Sequence, residues 1–117
     1  MKEETLRVLK IAPHKEPEVV ELKNDLYALQ DAVSEGLDFR GRIELVHIEP
    51  NVILLLNEEG KLYGLPANGV LNGDILVGTY YVIGTKGEEM ASLTDAQIKR
   101  YRQVFKLEYA EGDELVF

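Results

Sequence analysis

The chain has 117 residues, of which 21 are acidic and 13 are basic, so its net charge at neutral pH is −8. This length corresponds to one domain covering 1–117, and the 45% hydrophobic content is typical of a folded chain and argues against disorder. The absence of cysteine excludes disulfides, thiolate metal ligands and a cysteine nucleophile, and the acidic balance argues against general binding to nucleic-acid phosphates.

The first part of the chain predicts two strands and a helix. Residues 5–12 alternate between apolar and charged side chains, which is typical of a half-buried strand, and residues 18–22 predict a second strand antiparallel to it. Asn24 is the predicted N-cap of a helix that runs from Asp25 to residue 34 or 35. Gly36 suits the left-handed position that closes a helix.

A block of strands follows the helix. Residues 57–60 predict a tight turn in which Gly60 adopts a positive φ, and 66–73 predict a loop rich in Gly and Asn. Gly78 predicts a bulge or a close backbone approach within the last strand. The strands predicted here span 43–48, 52–56, 61–65 and 74–84.

The C-terminal part predicts a second helix after a polar connection at 85–92. Thr94 and Gln97 have the spacing of a capping box. Three residues at helical spacing predict its buried stripe: Ile98, Tyr101 and Phe105. The acidic segment 108–117 is expected to be less ordered. The order ββαββββα predicts an α+β domain with a mostly antiparallel sheet of about five to six strands and two helices.

The segment from Val52 to Leu56 is apolar at every position, which predicts a strand covered on both faces. Two helices can cover one face of a sheet. The sequence therefore leaves two explanations for the other face: the sheet curls on itself, or a second copy covers it in a homodimer.

Four stretches of the sequence resemble one family when taken together: VLKIAPHKEPEVVEL (8–22), NEEGKLYGLPAN (57–68), GDILVGTYYVIG (73–84) and SLTDAQIKRY (92–101). The chain resembles domain-of-unknown-function family 3846, whose members are small proteins of Gram-positive bacteria, their plasmids and their phages. The resemblance implies no agreed activity. The family pattern tends to place a basic residue after Pro-x-Asn, whereas this chain has Gly69 and Val70 after Asn68.

The 66–74 loop is the first candidate site. Backbone N–H groups in such a loop can bind an anion or the edge of a base, and the alternative is a pair of tight turns. Tyr80 and Tyr81 point to opposite faces of their strand, and one of them could stack on a ligand ring instead of lying in the core. The candidate ligand-binding residues are Asn68, Gly69, Asn72, Asp74, Tyr80 and Tyr81.

The last helix holds the only basic concentration in this acidic chain. Lys99, Arg102 and Lys106 lie along one stripe of it, where they could meet a phosphate or an acidic partner. The alternative is a solvated face whose side-chain stems pack along the core. These three residues are the candidate partner-binding residues.

Signals of catalysis are weak. His47 and Glu49 lie two residues apart on one predicted strand face, and with His14 they could supply three metal ligands, but nothing places His14 near them. Neither serine lies in a nucleophile elbow. The sequence therefore names no catalytic residue, no cofactor and no metal site.

The functional expectation is an accessory protein of bacterial or phage origin that acts by binding. The first hypothesis is a protein-interaction or regulatory module that uses the acidic surface and a sheet edge, the second is a small-ligand or nucleotide binder, and the third is a metal-dependent hydrolase. The longest apolar run is too short to cross a bilayer, so we expect a cytoplasmic protein without membrane binding.

Overall fold

The computed structural model describes residues 3–106. The predicted α+β class, with a mostly antiparallel sheet and two helices, is confirmed, and the predicted segment 108–117 lies outside the described residues. The strands are β1 (Thr5–Ile11), β2 (Glu18–Lys23), β3 (Ile43–Glu49), β4 (Val52–Asn57), β5 (Ala67–Leu71), β6 (Asp74–Val77), β7 (Tyr80–Lys86) and β8 (Glu89–Ala91), and the helices are α1 (Leu26–Ala32) and α2 (Asp95–Val104).

The main sheet has six strands, and its path is β2-β1-β7-β4-β3, with β8 paired to the end of β7. All of these pairings are antiparallel. β5 and β6 form a separate two-stranded hairpin. β4 lies between β3 and β7, and every residue of Val52–Asn57 is buried, as the uninterrupted apolar run predicts.

Each face of the sheet carries its own core, and the chain itself covers both. On one face, β1, β4 and β7 pack against α2 and the hairpin, with Leu54, Val82 and Tyr101 almost fully buried. On the other face, α1 supplies Leu29 to a cluster that includes Leu55. One helix on each face therefore supplies the cover that the homodimer argument assigned to a second copy.

Helix α1 begins one residue later than the sequence suggested. Its N-cap is Asp25, whose Oδ1 accepts the Ala28 N–H at 2.9 Å, whereas the side chain of Asn24 donates to the Glu3 carbonyl. The prediction of Asn24 as the cap was wrong because both residue types can cap a helix, and a contact from a distant segment decides between them. The positive φ of Gly36 is confirmed at 90°.

Helix α2 matches its prediction. The Thr94 hydroxyl accepts the Gln97 N–H, and the Gln97 side chain accepts the Thr94 N–H, which completes the capping box. Ile98, Tyr101 and Phe105 are buried against the sheet. These residues fix α2 across the face that also carries the hairpin.

The prediction of a strand at 61–65 and a loop at 66–73 was wrong. Residues 61–64 form turns instead of a strand. The positive φ predicted at Gly60 is found at Gly64 instead. The strand lies instead at β5, which pairs with β6 across Asn72 and Gly73, with φ of 50° and 78°. Positive φ at both central residues is the geometry of a two-residue hairpin turn.

The predicted strand at 74–84 is divided in two. Gly78 has a φ of 72°, and a Cβ at this position would lie 2.7 Å from Leu65 Cδ1. The predicted close approach at Gly78 is therefore confirmed, but it ends β6 and turns the chain into the other sheet at β7. The predicted connection at 85–92 contains the end of β7 and β8. Among the described residues, neither helix is long and apolar enough to cross a membrane.

Candidate functional site

A cleft lies between the β5–β6 hairpin and the β3 edge of the main sheet, and we call it the hairpin cleft. Its volume is about 440 Å³, and it combines residues of β3, β4 and the hairpin. The lining residues are Glu44, Val46, Leu56, Asn57, Glu58, Lys61, Leu71, Asn72, Asp74, Ile75, Leu76 and Val77.

The hairpin cleft has an apolar floor and a charged rim. Leu56 and Leu71 are buried in the floor, whereas Ile75 is 51% exposed on the hairpin wall. The rim holds Glu44 and Glu58 on the sheet side, both exposed. Such a combination suits a side chain with an apolar stem and a cationic end.

The charges on the rim are only partly compensated. Lys61 makes an ion pair with Asp74, which closes one end of the hairpin cleft. Within residues 3–106, neither Glu44 nor Glu58 has an ion-pair or side-chain hydrogen-bond partner. The Arg42 carbonyl accepts the Glu58 N–H, but the two side chains form no ion pair. The sheet side of the cleft is therefore net negative.

Strand β3 is the edge strand of the main sheet beside this cleft. In the described part of the chain it pairs with β4 alone, so its other side is an open edge. Pairing is regular from Ile43 to His47, and a bulge follows between His47 and Glu49. An open edge exposes backbone N–H and C=O groups that can pair with another strand.

The predicted ligand residue Asn68 lies in the core. Its Nδ2 donates to the carbonyls of Ile11 at 2.9 Å and Gly78 at 2.7 Å, and its own carbonyl accepts the Tyr80 hydroxyl at 2.9 Å. Its Oδ1 has no hydrogen-bond partner among the described residues. Asn68 thus ties the hairpin to β1 and β7 and has no solvent-facing atom.

The other predicted ligand residues do not form one site with Asn68. Gly69 is buried in β5, whereas Asn72 and Asp74 lie at the exposed tip of the hairpin and line the hairpin cleft. Tyr80 and Tyr81 are both buried, one in the core of each sheet face. Burial raises the pKa of both phenols well above the ordinary value.

Two of the predicted partner-binding residues lie on the surface of α2, and the third, Lys106, lies two residues beyond its end. Lys99 and Arg102 are exposed, and Lys106 is half-buried. Their neighbour Arg100 pairs with Glu49 at 3.1 Å, and the Tyr101 hydroxyl donates to the same carboxylate. Arg100 therefore joins α2 to the end of β3, while Lys99 and Arg102 face solvent.

The structure does not assemble the metal ligands that the sequence suggested. The bulge in β3 separates His47 from Glu49, whose carboxylate turns to α2 instead. Among residues 3–106, no group of three or more His, Asp or Glu side chains is arranged to hold a metal ion. The prediction that His47 and Glu49 share a strand face was wrong, because a bulge shifts the alternation by one residue.

One exposed surface was missed by the sequence analysis. The Phe39 and Tyr63 rings pack edge to face at 4.8 Å, and the Arg40 guanidinium lies 4.6 Å from the centre of the Tyr27 ring. Leu62, beside Tyr63, is 75% exposed. We call these five residues the aromatic surface. These residues come from three separate segments of the chain. The sequence offered one signal of the aromatic surface, the apolar and aromatic residues at 62–63, and the segment 61–65 was predicted as a strand.

Arg40 is held in place at this surface. Its Nε and Nη2 donate to the two carboxylate oxygens of Asp31 at 2.6 and 3.2 Å. These hydrogen bonds lower the pKa of Asp31. A shallow cavity of about 500 Å³ lies beside them and includes Phe39 and Ser34 in its lining. Because the guanidinium of Arg40 already binds the Asp31 carboxylate through two hydrogen bonds, Arg40 does not offer this cavity a free guanidinium fork.

Comparison with known proteins assigns the chain to a family but gives no individual relative. Neither a curated protein nor a solved structure matches the chain. Residues 6–106 match the family described as Domain of unknown function (DUF3846). The match covers most of the chain and includes β3, the hairpin and α2. The resemblance noted in the sequence motifs is thereby confirmed, and the chain belongs to the DUF3846 family.

Proposed function

We propose that this chain is a non-catalytic, cytoplasmic accessory protein of bacterial or phage origin, and that it binds a partner protein by taking up an extended segment at the β3 edge. The single observation that carries the proposal is the open edge of β3 beside the hairpin cleft. An added strand gains main-chain hydrogen bonds from the edge and specificity from the adjoining pocket.

The edge at β3 is better suited to this role than the edge at β2. β2 carries Glu18, Glu21 and Lys23 as exposed side chains, and α1 packs beside it. Charged side chains on an edge strand protect it from pairing. β3 has one exposed acidic side chain, Glu44, where β2 has three exposed charged side chains. Leu45 of β3 is 47% exposed, and the cleft lies directly alongside.

The small-ligand alternative is less well supported. It required a concave site that combines Asn68, Asn72 and a tyrosine. Asn68 and both tyrosines are buried, and only Asn72 faces the cleft. A binding module with an open strand edge needs none of these side chains to be exposed.

The test is a selection of random dodecapeptides on the immobilised protein, followed by amide hydrogen exchange of the complex. We expect peptides that slow the exchange of amides within Ile43–His47 on the open side of β3, because an added strand pairs with those groups. Two variants with the same change in charge and hydrophobicity locate the surface. Ile75→Lys alters the cleft wall, and Leu62→Lys alters the aromatic surface.

Binding should weaken about tenfold in Ile75→Lys and stay within about twofold in Leu62→Lys, since only Ile75 lines the cleft that adjoins the β3 edge. The opposite order, with unchanged exchange in β3, would place binding on the aromatic surface and overturn the proposal. Peptides that bind without protecting any β3 amide would overturn it as well.

A further inference from the structure

We infer that the segment bound at the β3 edge alternates basic and apolar residues, with the basic side chains entering the hairpin cleft. This inference rests on the proposed function and adds the chemistry of the partner. It follows from the different character of the two faces of β3.

The face of β3 that borders the hairpin cleft is acidic above an apolar floor. Glu44 and Val46 lie on this face, and Glu58 joins them from the end of β4. Val46 packs against the core, while the two carboxylates are exposed and have no charged partner in residues 3–106.

The opposite face of β3 is apolar. Leu45 lies on it and is 47% exposed, with Ile43 half-buried and His47 exposed on either side. No ion pair within the described residues involves this face. An added side chain here contacts Leu45 and covers apolar surface that is now in water.

A strand added to β3 places its successive side chains on alternate faces, whichever direction it runs. Every second side chain therefore lies beside Glu44 and Glu58, and the others lie beside Leu45. A Lys or Arg side chain fits the first set, because its stem can cover Val46 while its cation meets a carboxylate. A β-branched or aliphatic side chain fits the second set.

Other occupants are disfavoured by charge. The chain's own segment 107–117 has four acidic residues and no basic one. Strand β3 of a second copy carries Glu44 and Glu49 and neither Lys nor Arg. Either would bring like charges to the cleft, so the occupant is a basic segment of a different protein.

The experiment measures the affinities of three eight-residue peptides by titration. One alternates Lys and Val, one alternates Glu and Val, and one has four Lys followed by four Val. The block peptide controls for the general attraction of any cation to a chain of charge −8. We expect the alternating Lys/Val peptide to bind about tenfold more tightly than either of the others, because only it meets both faces at once.

A charge reversal in the protein completes the test. Glu44→Lys with Glu58→Lys should make the Glu/Val peptide the tightest of the three. The matched control, Glu88→Lys with Glu89→Lys, makes the same change in net charge outside the cleft, at the last residue before β8 and at the first residue of β8, and should keep the original order.

Equal binding of the alternating and block Lys peptides would overturn the inference, and so would an order that the Glu44/Glu58 variant leaves unchanged. If the library selection instead yields non-basic peptides that protect β3 amides, the inference fails while the proposed function stands. If no selected peptide protects β3 amides, the proposed function itself fails.

Discussion

Asn68 is a single residue on which three segments of the fold depend. Its amide bridges carbonyl groups in β1 and at Gly78, and its carbonyl accepts the hydroxyl of a buried tyrosine. The side chain of Asn68 donates two of these three hydrogen bonds, and its backbone carbonyl accepts the third. A buried carbonyl that loses its donor keeps its desolvation cost without compensation. These contacts give Asn68 a structural role in the fold.

Asn68→Ala should lower the free energy of unfolding by about 2–4 kcal/mol, because it leaves the carbonyls of Ile11 and Gly78 without their donor. Urea denaturation followed by circular dichroism measures this change. Asn51→Ala, at an exposed position in the β3–β4 turn, is the matched control and should change stability by less than about 0.5 kcal/mol. Equal effects of the two substitutions would contradict the assigned role.

The boundary between β6 and β7 depends on one backbone conformation. Gly78 has a φ of 72°, its N–H donates to the Pro66 carbonyl at 2.7 Å, and Leu65 fills the space where a side chain would be. This arrangement sends the hairpin away from the main sheet and so creates the hairpin cleft. The position of the cleft therefore depends on the junction between β6 and β7 and not on the residues that line the cleft.

Gly78→Ala should destabilise the protein by about 2 kcal/mol, since it combines a left-handed backbone with a Cβ that clashes with Leu65. Gly87→Ala is the control, because Gly87 has a φ of 65° but open space around a Cβ. We expect that change to cost only about 1 kcal/mol, the backbone part alone. Chemical denaturation of both variants separates the two contributions, and an equal loss in both would show that Leu65 yields without cost.

Local signals in the sequence predicted the elements whose cause is local. The alternation in β1, the apolar run in β4 and the capping box of α2 are each complete within a few residues. The β5–β6 hairpin was missed because Asn72-Gly73 was interpreted as part of a loop, although it is the strongest short hairpin signal. The length of the 74–84 strand was wrong because the close approach at Gly78 involves a residue thirteen positions earlier.

The candidate site was less accessible to sequence reasoning than the fold. A sheet edge and an acidic surface were expected, but which strand forms the edge depends on the pairing of β1 with β7, far apart in the chain. Glu44 and Glu58 were not singled out, because an exposed glutamate in a strand or turn has no distinctive pattern. Asn72 and Asp74 were predicted as ligand residues, and both line the cleft.

The whole molecule carries a surplus of negative charge that acts against its compact state. The net charge is −8, and the ion pairs of the described residues, such as Arg7 with Asp95, lie on the surface. Exposed pairs of this kind add little to stability, whereas like charges at longer range repel one another. The balance of the two effects depends on ionic strength.

The melting temperature should rise as NaCl increases from about 10 mM to about 150 mM, because the Debye length shortens from about 30 Å to about 8 Å and screens the repulsion. Differential scanning calorimetry measures the change. In the Glu88→Lys and Glu89→Lys variant each substitution adds two units of charge, so the net charge falls to −4 and the rise should be smaller. A melting temperature that falls with salt would mean that the ion pairs outweigh the repulsion.

The strand order has a consequence for how the chain is made. β7 is synthesised late, yet it lies between two earlier hairpins, β1–β2 and β3–β4. While the ribosome is still producing the middle of the chain, both hairpins therefore have an inner edge that awaits a partner. Long-range pairing of this kind slows folding and exposes nascent chains to aggregation. The sheet can close only when residues 80–84 have left the exit tunnel, so folding follows synthesis of most of the chain.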